Sequence, residues 1–165
     1  MIRIVIPARY HSTRFPGKPL ALIDGKPMIQ CVYERAGTTR ADQVIVATDD
    51  ERIAAAARLA GADVCMTAAS HASGTDRIAE VARLRGFDPD DIVVNLQGDE
   101  PAMPAVIIEQ VAAALVAHPR AAIATAAAMV ESRGEFLDPN VVKVVADHEG
   151  RALYFSRAPI PHDRD

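Results

Sequence analysis

The chain has 165 residues, of which 50% are hydrophobic and 24% are charged, and this composition excludes an intrinsically disordered protein. Its formal net charge of −4 gives no basic surface for a nucleic acid, so we expect no nucleic-acid partner. Charges interrupt every apolar run before it reaches the ~18 residues of a membrane span. Met1 is followed at once by a strand-like run, which leaves no room for a signal peptide. We therefore expect a cytoplasmic protein without a membrane partner.

Short runs of β-branched residues alternate with helical patterns along the chain. Such runs predict strands that are buried on both faces, at 3–6, 43–48, 63–66, 91–97, 122–128, 140–147 and 151–156. Apolar residues at spacings of three and four predict helices at 27–36, 50–61, 76–86 and 104–118. This alternation predicts an α/β fold, with a mostly parallel sheet and helices on both faces, over one domain at 1–165.

Residues at the predicted helix ends supply start and stop signals. Thr48 followed by Glu51 predicts a capping box at the start of the second helix. Gly61 and Gly86 have the position of the glycine that ends a helix in a left-handed conformation.

The segment IPARYHSTRFPGKP, residues 6–19, follows the first predicted strand and carries Arg9, Arg14 and Lys18. Ligands of open α/β sheets bind at the carboxyl ends of the strands, so these cations face the expected crevice. Arginine suits bidentate contacts with phosphate, and lysine supplies a point charge. The segment matches neither a Walker A loop nor a dinucleotide-binding motif. It predicts a polyphosphate site, with a solvated surface loop as the alternative.

An acidic turn, NLQGDEP at residues 95–101, follows the fourth predicted strand. It presents Gln97, Asp99 and Glu100 at the same edge of the sheet. Mg²⁺ in proteins takes one or two carboxylates and completes its coordination with phosphate oxygens and water. The turn therefore predicts a magnesium site for phosphoryl or nucleotidyl transfer, although the two carboxylates could also simply cap a turn.

A third cluster, HASGTDR at residues 71–77, leads into a helix. Backbone N–H groups and hydroxyls at a helix N-terminus can hold a base edge or a ribose hydroxyl, and Arg77 adds donors. Ser73 also suits an N-cap, and Asp76 would complement the helix dipole. Both interpretations can hold together.

Taken together, five motifs of this chain resemble the CMP-Kdo synthetase (3-deoxy-manno-octulosonate cytidylyltransferase) family: IPARYHSTRFPGKPL, GKPMI, SGTDRIAE, NLQGDEP and ALYFSRAPIP. The resemblance runs from Ile4 to the last residue, and the first motif occurs in looser form in sialic-acid cytidylyltransferases. It implies a Rossmann-like nucleotidyltransferase fold. It also implies transfer of CMP from CTP to Kdo (3-deoxy-D-manno-octulosonate), which gives CMP-Kdo and pyrophosphate for lipopolysaccharide biosynthesis.

The resemblance also implies roles for individual residues of this chain. Asp99 would hold Mg²⁺, and Gln97 and Arg157 would face the sugar. Arg9, Lys18 and Asp99 would be catalytic. CTP would be bound by Ala8, Arg9, Arg14, Lys18, Ser73, Gly74 and Arg77.

Family members continue for several tens of residues beyond the point that matches residue 165. That further part carries a second metal-binding aspartate in a GVDTPEDL-like motif, more sugar-binding residues and much of the contact of a homodimer. A chain without that part could be a non-catalytic CTP-binding module. A cytidylyltransferase for 8-amino-Kdo or for a sialic-acid-like sugar is the other alternative.

Overall fold

The computed structural model describes residues 1–11 and 15–162. It divides into two compact units, Met1–Ala124 and Thr125–Asp165, and the assignment of one domain to 1–165 stays a prediction. The first unit contains, in chain order, β1 (Ile2–Ala8), a 3-10 helix (Lys18–Leu20), β2 (Leu22–Ile23), β3 (Lys26–Pro27), α1 (Met28–Ala36), β4 (Gln43–Thr48), α2 (Glu51–Leu59), β5 (Asp63–Met66), α3 (Gly74–Leu84), β6 (Ile92–Asn95) and α4 (Ala105–Ala117).

The main sheet of the first unit has four strands in the order β5-β4-β1-β6. All of its pairings are parallel, and Val5 of β1 lies between Ile45 of β4 and Asn95 of β6. β2 and β3 form a separate antiparallel pair. The predicted α/β class with a mostly parallel sheet is confirmed.

Helices cover both faces of this sheet, because alternate residues of each strand point to opposite faces. On one face, Ile4 and Val46 pack with Ile29 of α1, Ile53 of α2 and Ile108 of α4. On the other face, a smaller core joins Val5, Ile45, Ile78 and Val81, the last two from α3. The sheet is therefore buried on both sides, and its strand ends are the parts that remain available to a ligand.

The helix ends agree with the sequence signals in part. Gly61 and Gly86 have φ values of 83° and 61°, as expected for residues that end helices in the left-handed conformation. The predicted Thr48 capping box is wrong. Thr48 is fully buried in β4, and α2 is capped instead by Asp50, whose side chain accepts a hydrogen bond from the Arg52 backbone N–H.

The second unit contains α5 (Arg133–Leu137), β7 (Lys143–Ala146) and β8 (Ala152–Ser156). β7 and β8 form an antiparallel pair, so they do not extend the parallel sheet. The strand predicted at 122–128 is wrong, since these residues form neither helix nor strand. Alanine occupies most of that run and offers little side chain for packing on a sheet. In the two described ranges, no helix is both long and apolar enough to span a membrane.

Candidate functional site

The turn after β6 crosses directly over the end of β1. Gly98 is buried there, and a Cβ atom added to it would lie 2.9 Å from the Pro7 carbonyl oxygen and 3.3 Å from the Ala8 Cβ atom. Real Cβ atoms do not approach a backbone oxygen so closely, so this crossing requires glycine. The side chains on either side of Gly98 are consequently held at the carboxyl end of β1.

Lys18 and Asp99 form an ion pair at this crossing. The Lys18 Nζ atom lies 2.6 Å from Asp99 Oδ2, and the two side chains are 38% and 48% exposed. The residues are far apart in the sequence, so the contact joins the cation-bearing segment to the acidic turn. The expectation that the two segments share one edge of the sheet is confirmed. Arg9 is exposed beside Ala8 at the end of β1, and Arg14 lies outside the described residues.

Two contacts hold the described residues of the cation-bearing segment, which is the segment at 6–19, in place. Gly17 adopts a φ of 71°, its N–H donates to the Tyr10 carbonyl at 2.8 Å, and the Tyr10 ring occupies the space where a Gly17 side chain would be. The guanidinium carbon of Arg52 lies 3.4 Å from the centre of the Tyr10 ring. This cation–π contact attaches Tyr10, and with it the segment that carries Lys18, to α2.

The third predicted cluster packs against the first two. Ser73 and Asp76 form a capping box at the start of α3, which confirms Ser73 as its N-cap. A Cβ atom added to Gly74 would lie 3.3 Å from Pro7 Cγ and 3.8 Å from Gln97 Nε2. The first turn of α3 therefore contacts both β1 and the acidic turn. All three sequence motifs meet at one edge of the sheet.

Arg77 lies in this same turn of α3, but its side chain is buried and only 4% exposed. Its Nη1 atom donates to the Thr67 hydroxyl, and its Nη2 atom lies 3.4 Å from Asp49 Oδ1. Asp49 is a residue that the sequence interpretation missed. The signal was present, since Asp49 directly follows β4 and strand ends are where ligand sites of α/β proteins form.

The electrostatics of the acidic turn come from its neighbouring carboxylates. Partial burial raises the pKa of Glu100, and the nearby Asp99 charge raises it further. Gln97 is exposed, and its side-chain amide donates to Asn95 Oδ1 at 2.9 Å. The turn thus offers the exposed carboxylate of Asp99 beside the Lys18 ammonium group.

Arg157, the other predicted sugar contact, belongs to the second unit. It is exposed, and its Nη1 atom donates to the Pro139 carbonyl at 2.9 Å within that unit. Its role stays a prediction.

A cavity of about 400 Å³ lies elsewhere in the first unit, toward the amino ends of β1 and β4. Most of its lining residues are apolar, among them Ile2, Ile108 and Ala112. Arg40 and Glu109 also line it, and the Arg40 backbone N–H donates a hydrogen bond to Glu109 Oε1. The cavity contains none of the residues of the three sequence motifs. The chemistry of the strand ends, rather than cavity volume, therefore identifies the candidate site.

A parallel α/β sheet with cations, a carboxylate and a helix N-terminus at its carboxyl end is the arrangement that nucleotide sites of open α/β sheets use. The chain matches the model of the cytidylyltransferase family over residues 3–165 and belongs to that family.

Its relatives include 3-deoxy-manno-octulosonate cytidylyltransferases. That of Cellvibrio japonicus (strain Ueda107) is 60% identical over 162 residues, which are 98% of this chain and 64% of that protein. The enzyme of Tolumonas auensis is 59% identical, again over 98% of this chain, but over 63% of that protein. This chain thus spans less than two thirds of the length of these relatives.

The structure of CMP:2-keto-3-deoxy-manno-octonic acid synthetase complexed with CTP superposes with a TM-score of 0.87 and 43% identity. The match covers 99% of this chain and 67% of that one. The resemblance to CMP-Kdo synthetases and the nucleotidyltransferase fold are both confirmed.

Proposed function

We propose that this chain is the CTP-binding part of an enzyme that transfers CMP from CTP to Kdo, with release of pyrophosphate. The observation that carries the proposal is the 2.6 Å contact between Lys18 Nζ and Asp99 Oδ2. It brings together a cation of the type that binds phosphate and a carboxylate of the type that binds Mg²⁺. The relatives, which bear the name of this activity at 60% identity, support the choice of CTP and Kdo.

The triphosphate would lie along the segment after β1. Arg9, Arg14 and Lys18 would neutralise its phosphate oxygens, and Ala8 would line the strand end beneath it. The nucleoside would face the first turn of α3 at Ser73 and Gly74. The Ser73 N–H and hydroxyl both donate to Asp76 Oδ2, so a contact of Ser73 with the nucleoside would replace a hydrogen bond of the capping box.

Asp99 fits a magnesium ion better than the other carboxylates of the turn. It is 48% exposed and has one ion-pair partner, Lys18, which could move to a phosphate when the nucleotide arrives. Mg²⁺ bound there would neutralise charge on the phosphate oxygens, which complete its coordination. Glu100 is less suited to the role, since its side chain is less exposed than that of Asp99; burial and the Asp99 charge raise the pKa of Glu100.

The reaction is a displacement at the α-phosphorus of CTP. The anomeric hydroxyl oxygen of Kdo forms a bond to that phosphorus and its proton passes to water, while the bond from the phosphorus to the oxygen of the β-phosphate breaks and pyrophosphate leaves. Orientation of the reactants and neutralisation of charge supply most of such catalysis. Lys18 and Arg9 would stabilise the charge that develops on pyrophosphate. Gln97 and Arg157 would orient the sugar, with Arg157 suited to its carboxylate.

CTP binding and turnover need not both belong to this chain. This chain spans 64% of the length of its Cellvibrio relative, so a CTP-binding module without turnover is the second candidate for the isolated chain. In a protein of the relatives' full length we propose a homodimer in the cytoplasm that supplies lipopolysaccharide synthesis.

The test combines a binding and a turnover measurement. Calorimetry with CTP, UTP and ATP in Mg²⁺ should show binding of CTP to this chain, with the other two nucleotides weaker. For turnover, the 162 matched residues would replace their counterparts in the Cellvibrio enzyme. Pyrophosphate release from that graft should depend on Kdo, and 8-amino-Kdo and sialic acid should be poorer substrates.

The control for the catalytic role is a second exposed ion pair. Lys26 Nζ lies 2.8 Å from Glu34 Oε2, with side chains 52% and 44% exposed, much like Lys18 and Asp99. In the graft, Asp99→Asn should lower kcat by at least ~100-fold if the carboxylate holds the ion. Glu34→Gln should leave kcat unchanged. Near-normal turnover by the Asp99 variant would remove Asp99 from this role.

A further inference from the structure

Arg77 is an unusual residue for the first turn of an exposed helix terminus, because its charged side chain is buried. It is 3% exposed, and it is one of very few charged residues that the structure buries among the described parts of the chain. A buried charge is costly unless it is paired. Its partners therefore indicate what the side chain does.

These partners come from two neighbouring strands. Thr67, which accepts a hydrogen bond from Arg77, directly follows β5, and its own N–H donates to the Thr48 carbonyl of β4 at 2.9 Å. Asp49 directly follows β4, and its Oδ1 atom lies 3.4 Å from Arg77 Nη2. The guanidinium group thus connects α3 to the carboxyl ends of β4 and β5.

The other two strands reach the same turn from the opposite side. Gly74 lies against Pro7 of β1 and against Gln97, which follows β6, with separations of 3.3 and 3.8 Å from an added Cβ atom. The start of α3 is therefore the place where all four strand ends of the sheet meet. A shift of this turn would displace Gly74 and Gln97 together.

Asp49 has a further property that its packing does not explain. Its Oδ1 atom is buried and has no hydrogen-bond partner in residues 1–11 and 15–162, while the side chain is 12% exposed. A buried acceptor without a partner is unfavourable, and such groups occur where function retains them. At 3.4 Å the carboxylate still attracts the Arg77 charge.

We propose that Asp49 and Thr67 are positioning residues of the nucleotide site. They act through the Arg77 guanidinium group, which holds the first turn of α3 in the place where Ser73 and Gly74 meet the nucleotide. This inference rests on the proposed function for its ligand, but the anchoring of α3 can be measured without any ligand.

The chain offers a matched control at the other end of the same helix. Arg85, the C-cap of α3, pairs with Asp63 at the start of β5, with Nη2 and Oδ1 2.5 Å apart. Asp63→Asn removes the same kind of partner from the same helix. It does so at the amino end of the sheet, away from the three motifs.

The first readout is amide hydrogen exchange of α3 without ligand. Asp49→Asn should speed exchange in the first turn by about tenfold, because that turn loses its anchor, and should leave the last turn unchanged. Asp63→Asn should speed exchange in the last turn of α3 and leave the first turn unchanged. Equal exchange of the first turn in the Asp49 variant and the unaltered chain would overturn the anchoring.

The second readout is the Kd for CTP in Mg²⁺, by calorimetry. Asp49→Asn and Thr67→Val should each weaken CTP binding by about tenfold, as expected when a binding group is displaced. Asp63→Asn should change the Kd by less than twofold. If both site variants fold and keep the unaltered Kd, the positioning role is wrong. If the unaltered chain binds no CTP, the proposed function fails instead, and hydrogen exchange still decides the anchoring.

A double variant isolates the cost of the unpaired charge. Asp49→Asn combined with Arg77→Met removes the buried charge together with its partner, which often restores stability. The melting temperature should therefore recover relative to Asp49→Asn alone. Recovery of the Kd for CTP as well would show that neither residue holds the nucleotide site and would overturn the proposal.

Discussion

The two ends of the parallel sheet use the same charged residue types in different ways. At the amino end, the Asp91 carboxylate is 3% exposed and lies 2.9 Å from the Met1 amino group and 2.7 Å from Arg3 Nε. It also accepts the Asp88 N–H at 3.0 Å. Hydrogen bonds from the Met1 amino group and from Arg3 lower the pKa of Asp91 to about 2.

At the carboxyl end, Asp99 and Asp49 have fewer hydrogen-bond partners than Asp91, whereas Asp50 is fully paired with Arg52 as the cap of α2. Asp99 is half exposed and pairs with Lys18, and one oxygen of Asp49 has no hydrogen-bond partner in the described ranges. A carboxylate with several fixed donors contributes to the stability of the fold, whereas one with an exposed or incomplete set remains available to a ligand. Asp91 therefore stabilises the amino end, and the exposed Asp99 agrees with the binding role that we propose for the carboxyl end.

The largest effect should come from Gly98→Ala. The new Cβ atom would lie 2.9 Å from the Pro7 carbonyl oxygen, so β1 and the acidic turn must move apart. We expect a loss of about 1–3 kcal/mol in the free energy of unfolding and no measurable CTP binding. Chemical denaturation and calorimetry measure the two quantities. Gly37→Ala is the control, because its nearest neighbours lie at 3.5 Å and its φ is −65°. Equal behaviour of the two variants would contradict the close crossing.

Lys18→Ala should affect binding without affecting stability. A charge-assisted contact with phosphate contributes about 1.5–3 kcal/mol, so the Kd for CTP should rise by roughly 10- to 150-fold. The melting temperature should change little, since an exposed ion pair contributes little to stability. Lys26→Ala, which removes the other exposed lysine pair, should leave the Kd unchanged. An unchanged Kd for the Lys18 variant would contradict nucleotide binding at the carboxyl end of the sheet.

Asp91→Asn should have the opposite pattern, with lower stability and an unchanged Kd for CTP. The pKa of Asp91 is lower in the folded protein than its ordinary value of 3.8, so its stabilising effect is present above that pH. It is lost as the pH falls from about 3.8 to about 2. The unaltered chain should therefore lose stability over this range more steeply than the variant. Parallel stability curves in acid would contradict the assignment.

The smallest effect should come from Arg52→Ala. Arg52 is exposed, and its cation–π contact with Tyr10 contributes roughly 0.5–1 kcal/mol at such a site. We expect the Kd for CTP to rise by about two- to fivefold, since the segment that carries Lys18 becomes less fixed. Arg58→Ala, which removes another arginine of α2 that pairs with Glu51, is the control. A larger change than that of Lys18→Ala would indicate that Arg52 contacts the nucleotide itself.

Much of the sheet could be predicted from the sequence, because its strands are short β-branched runs and its helices have a clear apolar period. Predictions from the local sequence pattern were wrong at two places where packing determines the secondary structure. The run at 122–128 is apolar, but its alanines provide little surface to hold a strand, and Ile123 is 83% exposed. Thr48 has a side chain that suits an N-cap, but it is the buried last residue of β4. Asp50, two residues later, caps α2 instead.

The sequence predicted which motifs meet at the candidate site, but not the side-chain contacts between them. The meeting of Lys18 and Asp99 follows from the rule that parallel strands end at one edge. Burial of Arg77 and its contact with Asp49 do not follow from that rule, since they depend on side-chain directions in three different elements. Only the structure shows that the crossing at Gly98 requires glycine, and that Gly74 lies in close contact with Pro7 of β1.

The most direct test of a shared magnesium and nucleotide site is the affinity of Asp99→Asn for CTP, measured with and without Mg²⁺. Without Mg²⁺ the variant should bind CTP at least as tightly as the unaltered chain, because Lys18 is released from its partner at 2.6 Å and a negative charge is removed from the triphosphate site. With Mg²⁺ it should bind more weakly, by about tenfold. An equal change in both conditions, or none in either, would contradict the account.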